Sequence, residues 1–171
     1  WRIFDVDGEA DLIEDILRVW GYDHIPVVPM TLDGALPTQT VTPAQRRVRL
    51  ARRALAARGM LEAVTWSFMD ANHAKLFDGG RDETRLANPI SADLDEMRPS
   101  ILPNLVLAAG RNADRGYPDV ALFEAGPQYR GARPEDQALV AAGIRAGNAT
   151  PRHWEAKPRP ADVFDAKADA L

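Results

Sequence analysis

The stretch DVALFEAGPQYRGARPEDQALVAAGIRAG, residues 119–147, decides the fold class of this 171-residue chain. It contains two apolar runs, DVALFEAGPQY and QALVAAGIRAG, and the turn-rich segment RGARPED separates them. Apolar runs bounded by turn residues in this way predict buried β-strands. Strands that follow one another directly, beside flanking helices, favour an antiparallel sheet over alternating βαβ units. We therefore predict an α+β fold with an antiparallel β-sheet flanked by helices.

The segments on either side of these two strands supply further elements. In AVTWSF, residues 63–68, Val64, Trp66 and Phe68 alternate with Thr65 and Ser67, a period typical of a half-buried strand. SILPNLVLAAGRNADR predicts a helix over about residues 103–114, and RLANPIS predicts a short extended piece. The last segment, DVFDAKADAL at residues 162–171, predicts a strand that turns to helix near residue 165.

A well-signalled helix is predicted over residues 43–58. Thr42, Pro43 and Gln45 supply a capping residue, a first-turn proline and a capping-box partner, and Gly59 ends the helix. Its predicted apolar face comprises Val48, Ala51 and Leu55. Its basic side chains are Arg46, Arg49 and Arg53 on the opposite face and Arg47, Arg52 and Arg58 beside them. This basic stripe has two interpretations, which are solubility with ion pairing and contact with RNA or an acidic partner.

The segment ADLIEDILRVWGYDHIP, residues 10–26, predicts a second amphipathic helix that ends at Gly21. Its apolar face comprises Leu12, Ile13, Ile16, Leu17 and Trp20, and its acids lie opposite. One interpretation is that the acids complement the positive helix end and pair with Arg18. The other is a hard-cation site of the type that Mg²⁺ and Ca²⁺ require. Asp5 reaches such a site only if the loop through Asp7 and Gly8 folds back.

The predicted organisation has three parts. Residues 1–26 form a small unit, residues 27–42 form a linker rich in Pro and Thr, and residues 43–171 form the larger unit. A chain of this length accommodates one domain with a piece of another. It opens at Trp1 without an initiator Met and closes on DAKADAL, which is typical of the start of a helix. We therefore expect part of a longer protein.

Composition excludes several classes of function. The chain has no Cys, which removes disulfides and thiolate chemistry and fits a cytoplasmic location. It lacks the sequence signatures of phosphate loops, dinucleotide folds, serine hydrolases and zinc proteases. No apolar stretch is long enough to cross a bilayer, so no membrane partner is expected. The net charge of −4 argues against nucleic-acid binding by bulk electrostatics, although a local basic patch remains compatible with it.

Six segments in order carry a family resemblance: ADLIEDILRVWGYDHIP, RGMLEAVTWSF, LANPISADLDEMRPSILPNL, GRNADR, LFEAGPQY and DVFDAKADAL. Their order and spacing resemble the β subunit of bacterial phenylalanyl-tRNA synthetase over essentially the whole chain. The resemblance implies that residues 1–26 are the end of a B5 domain, which is similar to a winged helix. It also implies that residues 43–171 are a truncated catalytic-like module with a class II aminoacyl-tRNA synthetase fold and without class II active-site residues.

The resemblance also implies a magnesium site shared with the α subunit. Its ligands map to Asp5, Asp11, Glu14 and Asp15. Asp15 stands where the family more often has Glu, which shortens the reach of that carboxylate by one methylene. Because Mg²⁺ holds its water tightly and the acids repel one another, we expect the site to bind weakly in this chain alone.

The function implied is that of a non-catalytic partner of the α subunit in an α2β2 phenylalanine–tRNA ligase. That complex binds ATP and tRNA(Phe) and charges the tRNA with phenylalanine, in protein biosynthesis. In the strand that corresponds to motif 2 of the class II enzymes, Phe123 and Glu124 follow Ala121 and Leu122, and none of these four residues is a cation that could contact a phosphate of ATP. We therefore expect no catalytic residue, and we expect structural or interface roles for Arg98, Asn112 and Arg115. Two alternatives stay open, which are a stand-alone nucleic-acid-binding module and a Mg-dependent hydrolase.

Overall fold

A computed structural model describes residues 4–29, 40–150 and 152–171. The chain divides into two compact units, Trp1–Gln39 and Thr40–Leu171. Residues 30–39, which make up most of the predicted linker, lie outside the described residues. The domain boundaries at residues 26 and 42 stay predictions. Across the described ranges, no helix has both the length and the apolar character needed to span a membrane.

The first unit is built on one helix, α1 (Glu9–Trp20). It ends at Gly21, whose φ of 115° suits a residue without a Cβ. A 3₁₀ turn follows at Tyr22–His24, and the His24 ring stacks on Trp20 with 4.1 Å between ring centroids. The helix contains no buried residue, and its apolar side chains at Leu12 and Ile16 are more than half exposed.

The second unit is mixed α+β and contains most of the elements. Its helices are α2 (Pro43–Ala57), α3 (Ala71–Lys75), α4 (Leu102–Asp114) and α5 (Val163–Ala170). Its strands are β1 (Leu61–Glu62), β2 (Phe68–Met69), β3 (Glu96–Met97), β4 (Val120–Tyr129), β5 (Gln137–Ala146), β6 (Asn148–Thr150) and β7 (Arg159–Pro160). The predicted helices at residues 43–58 and 103–114 are confirmed to within one residue at each end.

The main sheet has the strand order β1-β4-β5. β4 and β5 form an antiparallel hairpin whose register runs from Val120 opposite Ala146 to Tyr129 opposite Gln137. β1 pairs with β4 in parallel. The sheet is therefore mixed, and the prediction of a wholly antiparallel sheet is corrected at this one short strand. A short turn closes β4 onto β5, whereas the parallel pairing of β1 joins Leu61 to Leu122, which lies 61 positions further along the chain.

The two long strands differ in burial. The centre of β4, which includes Phe123 and Ala125, is buried. Along β5, exposed residues alternate with half-buried ones over most of the strand. The prediction of a buried strand is therefore correct for β4 and wrong for β5, since β5 has one face open to solvent and one face turned toward the helices.

The capping box of α2 forms as predicted. The backbone N–H of Gln45 donates to Thr42 Oγ1 at 3.3 Å, and the backbone N–H of Thr42 donates to Gln45 Oε1 at 3.0 Å. Val48, Ala51 and Leu55 are the half-buried residues of this helix, whereas the rest of its surface is exposed. The apolar face read from the helical period is thus the face that packs on the sheet.

The predicted strand at residues 63–68 is wrong in both type and orientation. Residues 63–67 are not in a strand, and Phe68 begins β2. Val64 is 88% exposed and Trp66 is 63% exposed, while Thr65 is half-buried. The polar side chain faces inward because the Thr65 hydroxyl donates to Glu124 Oε2 at 2.6 Å. A buried polar partner therefore outweighs the apolar pattern here.

The predicted strand at the start of residues 162–171 is also wrong. Asp162 caps α5, and its Oδ1 accepts hydrogen bonds from the backbone N–H groups of Phe164 (2.8 Å) and Asp165 (3.1 Å). The helix consequently begins at Val163, because an aspartate at the N-cap satisfies N–H groups that a helix start leaves without partners.

Candidate functional site

The acidic helix α1 begins with a closed hydrogen-bonded turn around Asp11. The backbone N–H groups of Asp7 and Gly8 donate to Asp11 Oδ2 at 3.0 and 2.9 Å. These two bonds, that of Asp7 first, lower the pKa of Asp11 below its ordinary value. The carboxylate is therefore held ionised at the positive end of the helix, as the capping interpretation predicts.

The other predicted magnesium ligands do not converge on Asp11 in this chain. Asp15 accepts a hydrogen bond from Arg18 Nη2 at 3.0 Å, and Glu14 and Asp5 are exposed. Within the described part of the chain, no group of three or more His, Cys, Asp or Glu side chains is close enough to hold a metal ion. Carboxylate oxygens are the ligands that Mg²⁺ prefers. Their arrangement here, however, does not fit a site made by one chain, and the shared magnesium site stays a prediction.

The basic stripe on α2 divides into paired and unpaired arginines. Arg52 Nε lies 2.8 Å from Glu62 Oε1, and Arg52 Nη2 donates to the Ala125 carbonyl at 3.1 Å. Arg58 Nε lies 2.6 Å from Asp169 Oδ1. The remaining four are exposed and form no ion pair with any described residue: Arg46, Arg47, Arg49 and Arg53. Internal ion pairing therefore accounts for only part of this stripe.

Asp169 fixes the last helix to the rest of the unit. Arg145 donates to both of its carboxylate oxygens, with Nε to Oδ2 at 2.5 Å and Nη2 to Oδ1 at 3.1 Å. Arg58 donates to Oδ1 as well. The hydrogen bonds from Arg145, followed by those from Arg58, lower the pKa of Asp169, and Asp169 raises the pKa of Arg145. One carboxylate thus joins α5 to β5 and to the end of α2.

A buried ion pair lies next to the centre of β4. Arg98 and Glu124 are 1% and 4% exposed, and Arg98 Nη2 lies 2.8 Å from Glu124 Oε1. Arg98 Nε donates to the Pro127 carbonyl at 2.8 Å, and Nη1 donates to Thr65 Oγ1 at 2.9 Å. Glu124 Oε2 accepts from both the backbone N–H and the hydroxyl of Thr65. Both charges are therefore matched by hydrogen bonds, as buried ions require.

The surroundings of the Arg98–Glu124 pair separate the Arg98 guanidinium from solvent. Its guanidinium is enclosed by protein groups and is not presented to solvent. Asn112 in α4 donates to the Ala108 carbonyl, and Arg115, which directly follows α4, donates to the Arg111 carbonyl. All three polar residues that the sequence placed in structural or interface roles therefore make contacts inside the unit.

The sequence interpretation missed Thr65 and Asn104. Asn104 is 8% exposed, and its Nδ2 donates to the Trp66 carbonyl at 3.1 Å. Both residues stand in segments where the apolar neighbours dominate the pattern. One signal was available, because Glu124 interrupts an otherwise apolar stretch, and a charge in a buried strand needs polar partners.

Comparison with known proteins places the chain among aminoacyl-tRNA synthetase domains. Residues 28–170 match a family model described as the phenylalanyl tRNA synthetase beta chain CLM domain. The chain belongs to the phenylalanyl-tRNA synthetase β-chain family.

Individual relatives match over the full length of the chain. The phenylalanine–tRNA ligase beta subunit of Rhodospirillum rubrum is 57% identical over 171 residues, which are 100% of this chain and 21% of that protein. That of Bradyrhizobium diazoefficiens is 51% identical over 175 residues, covering 100% of this chain and 22% of that protein. The chain thus spans about a fifth of the length of the curated relatives it matches.

A solved structure of a pyrrolysyl tRNA synthetase, Desulfitobacterium hafniense PylSc, is 20% identical, with a TM-score of 0.44. The match covers 61% of this chain and 39% of that one.

Proposed function

We propose that this chain is a non-catalytic part of a phenylalanine–tRNA ligase β subunit, which supports the α subunit in an α2β2 complex. The observation that carries the proposal is the match to β-subunit relatives along the whole chain at more than 50% identity. In that complex, which we place in the cytoplasm, ATP activates phenylalanine and the acyl group passes to tRNA(Phe). Residues 43–171 would be a truncated class II core-like module, and residues 1–26 would be the end of a B5 domain.

The chemistry of β4 supports a non-catalytic role. Adenylation requires cations aimed at the phosphates of ATP, where negative charge develops. Two arginines lie beside the centre of β4, and both are already engaged: Glu124 and Pro127 occupy the guanidinium of Arg98, and Glu62 and the Ala125 carbonyl occupy that of Arg52. Ala121 and Leu122, which precede Phe123 in the strand, offer no charge. We therefore assign this chain a scaffolding role and assign phosphate binding to another subunit.

The shared magnesium ion is a further part of this proposal. Asp5, Asp11, Glu14 and Asp15 would supply carboxylate oxygens from this chain, and the α subunit would complete the site. When bound, the ion would neutralise these acids at a subunit contact. The contribution of this chain alone is the orientation of Asp11, which two backbone N–H groups hold in place.

The proposal is tested in the full-length β subunit co-expressed with the α subunit. We expect Asp11→Asn combined with Glu14→Gln to weaken α2β2 assembly and to remove its dependence on added Mg²⁺, as measured by analytical ultracentrifugation with and without EDTA. The matched control is Glu9→Gln, which removes an acid from the same first turn. Assembly that is equally strong and equally Mg²⁺-dependent in the double variant would contradict the metal role.

A second experiment addresses the scaffolding role itself. The 171-residue chain should not aminoacylate tRNA(Phe), and the complete complex should do so. Turnover by the chain alone, with tRNA(Phe) or with simple phosphoesters, would instead support the hydrolase alternative or a catalytic role. No geometry among the described residues favours the hydrolase, since these acids do not gather into a metal-binding cluster.

A further inference from the structure

The hairpin of β6 and β7 carries a loop that has no part in the scaffolding role. The two strands pair antiparallel, with Asn148 opposite Pro160 and Thr150 opposite Arg159. Between them, residues 152–158 line a hollow of about 480 Å³. This one loop supplies the whole lining, and each of these residues is exposed. A ligand can therefore reach the hollow directly from solvent.

Trp154 is the aromatic side chain of this hollow and is 94% exposed. A tryptophan exposed to this degree is uncommon, since its ring is highly buried on average. The backbone N–H of His153 donates to the Ala156 carbonyl at 3.4 Å, and that of Glu155 donates to His153 Nδ1 at 3.3 Å. These two bonds turn the loop at Trp154, so the faces of the indole are open to stacking.

The loop is basic in a chain whose net charge is −4. Residues 151–160 contain the cations Arg152, Lys157 and Arg159 and one acid, Glu155. Arg159 pairs with an acid of α5. The other two cations line the hollow and form no ion pair with any described residue. The hollow therefore favours an anionic ligand.

An exposed indole with cations on the same loop suits a single-stranded nucleic acid. Bases of a single strand stack on aromatic side chains, and a positively charged surface follows the phosphates. A duplex keeps the faces of its bases inside the stack. An acidic peptide supplies negative charge, but only a nucleotide chain couples an anion to a flat aromatic ring in every repeating unit.

We propose that residues 152–158 bind single-stranded RNA, with a base stacked on Trp154 and phosphates against Arg152 and Lys157. The proposal goes beyond the scaffolding role and does not depend on it, because one loop of this chain builds the whole site.

The first test compares two fluorescein-labelled probes of equal charge by fluorescence anisotropy with the 171-residue chain. One probe is a single-stranded RNA octamer of A and C, and the other is an abasic octamer with the same ribose and phosphate groups. We expect the RNA to bind more tightly, because it alone has bases that stack on the indole. Trp154→Ala should weaken RNA binding about tenfold, which is the effect of one stacked base, and should leave binding of the abasic octamer unchanged.

Matched variants separate stacking, charge and folding. Trp20→Ala removes a tryptophan that is 62% exposed and also lies beside a histidine, but on the acidic helix α1, and it should leave RNA binding unchanged. Trp154→Phe keeps a ring and should restore most of the affinity, while circular dichroism stays that of the parent chain. Arg152→Gln combined with Lys157→Gln should lower the slope of log K against log[salt] by about 1.4, since each phosphate contact of a single strand contributes about 0.7.

The second test locates the contact in the full-length β subunit assembled with the α subunit. An RNA octamer that contains 4-thiouridine is crosslinked by light, and mass spectrometry should find it attached within residues 152–158. Absence of this crosslink would overturn the proposal, because another chain would then cover the loop. Equal affinity for the two octamers, or RNA binding that is unchanged by Trp154→Ala, would overturn it as well. Binding of polyglutamate with the same dependence on Trp154 would show that the loop receives an acidic protein instead.

Discussion

At the scale of single residues, the most constrained point is the neighbourhood of Arg98 and Glu124. The pair joins β4 to residues 65–66, which have no regular strand pairing of their own. Removing one partner of a buried ion pair leaves an uncompensated charge and costs about 3–5 kcal/mol. The position of Thr65 therefore depends on residues that are 33 and 59 positions away.

Gly126 lies beside this ion pair, where there is no space for a Cβ atom. A Cβ at that position would lie 2.7 Å from Arg98 Nη2 and 3.0 Å from Glu124 Oε1. We expect Gly126→Ala to lower the free energy of unfolding by about 1–3 kcal/mol, since overpacking displaces both charged groups. Urea denaturation followed by tryptophan fluorescence measures this change.

The matched control for Gly126→Ala is Gly110→Ala in α4. A Cβ at Gly110 meets nothing within 4 Å. That substitution should raise stability by about 0.5–1 kcal/mol, because alanine is the better helix former. If both alanine variants shifted the unfolding midpoint in the same direction, the steric account of Gly126 would be wrong.

At the scale of elements, α5 depends on ion pairs more than on burial. The helix has no buried residue, and Asp165 and Asp169 hold arginines of neighbouring elements. The hydrogen bonds from Arg159, and then from the Asp162 backbone, lower the pKa of Asp165 from 3.8 to about 2. The pKa of Asp169 is lowered as well.

These shifts predict how the attachment of α5 varies with pH. A carboxylate whose folded pKa is depressed contributes stability above its unfolded pKa and loses it as the pH falls through the folded value. We therefore expect α5 to stay attached above pH 3.8 and to loosen as the pH falls from 3.8 toward about 2. The amide protection of α5, measured by hydrogen exchange, should fall in this window before that of α4.

Asp169→Asn provides the comparison for this pH effect. The amide keeps the size of the side chain and removes the charge that Arg58 and Arg145 share. Protection of α5 should already be low at pH 6 in this variant, and its further decrease on acidification should be smaller. An acid transition identical to that of the parent chain would show that Asp169 does not anchor the helix.

At the scale of the whole molecule, the chain combines an acidic net charge of −4 with a local basic surface on α2. Because the four unpaired arginines point to solvent, their charge is available to another molecule. Whether these arginines contact the α subunit or tRNA is distinguished by measuring subunit assembly and tRNA binding separately.

We expect the triple variant Arg46→Gln, Arg49→Gln and Arg53→Gln to weaken a contact of the full-length β subunit and to reduce its salt dependence. If the contact is with RNA, the slope of log K against log[salt] should fall by about 2–3, since each lost phosphate contact removes about 0.7–0.9. If it is with the α subunit, assembly should weaken and tRNA binding should follow only through assembly. Analytical ultracentrifugation and filter binding separate the two cases.

The control for this variant removes the same charge elsewhere, through Arg111→Gln, Arg115→Gln and Arg133→Gln, all of which are exposed. If neither assembly nor tRNA binding differs between the two triple variants, the α2 arginines serve solubility, which is the other interpretation of the stripe.

The sequence by itself determined the elements whose signals are local. The capping box at Thr42, the apolar face of α2, the span of α4 and the β4–β5 hairpin all follow from residues within one or two turns or one short loop. The four acids proposed as metal ligands were assigned from the family resemblance, and the local sequence pattern only placed three of them, Asp11, Glu14 and Asp15, on one face of a helix. Among the described residues, these acids do not gather into a metal-binding cluster.

The tertiary structure alone decided the features that join distant segments. The alternating pattern of residues 64–66 places Val64 and Trp66 on one face and Thr65 on the other. It does not indicate which face meets Arg98 and Glu124. Likewise, the parallel pairing of β1 with β4 has no local signal. The physical reason is that a buried charge must find hydrogen-bonding partners wherever the fold places them, so the inward face of residues 64–66 is chosen by polar groups far along the chain.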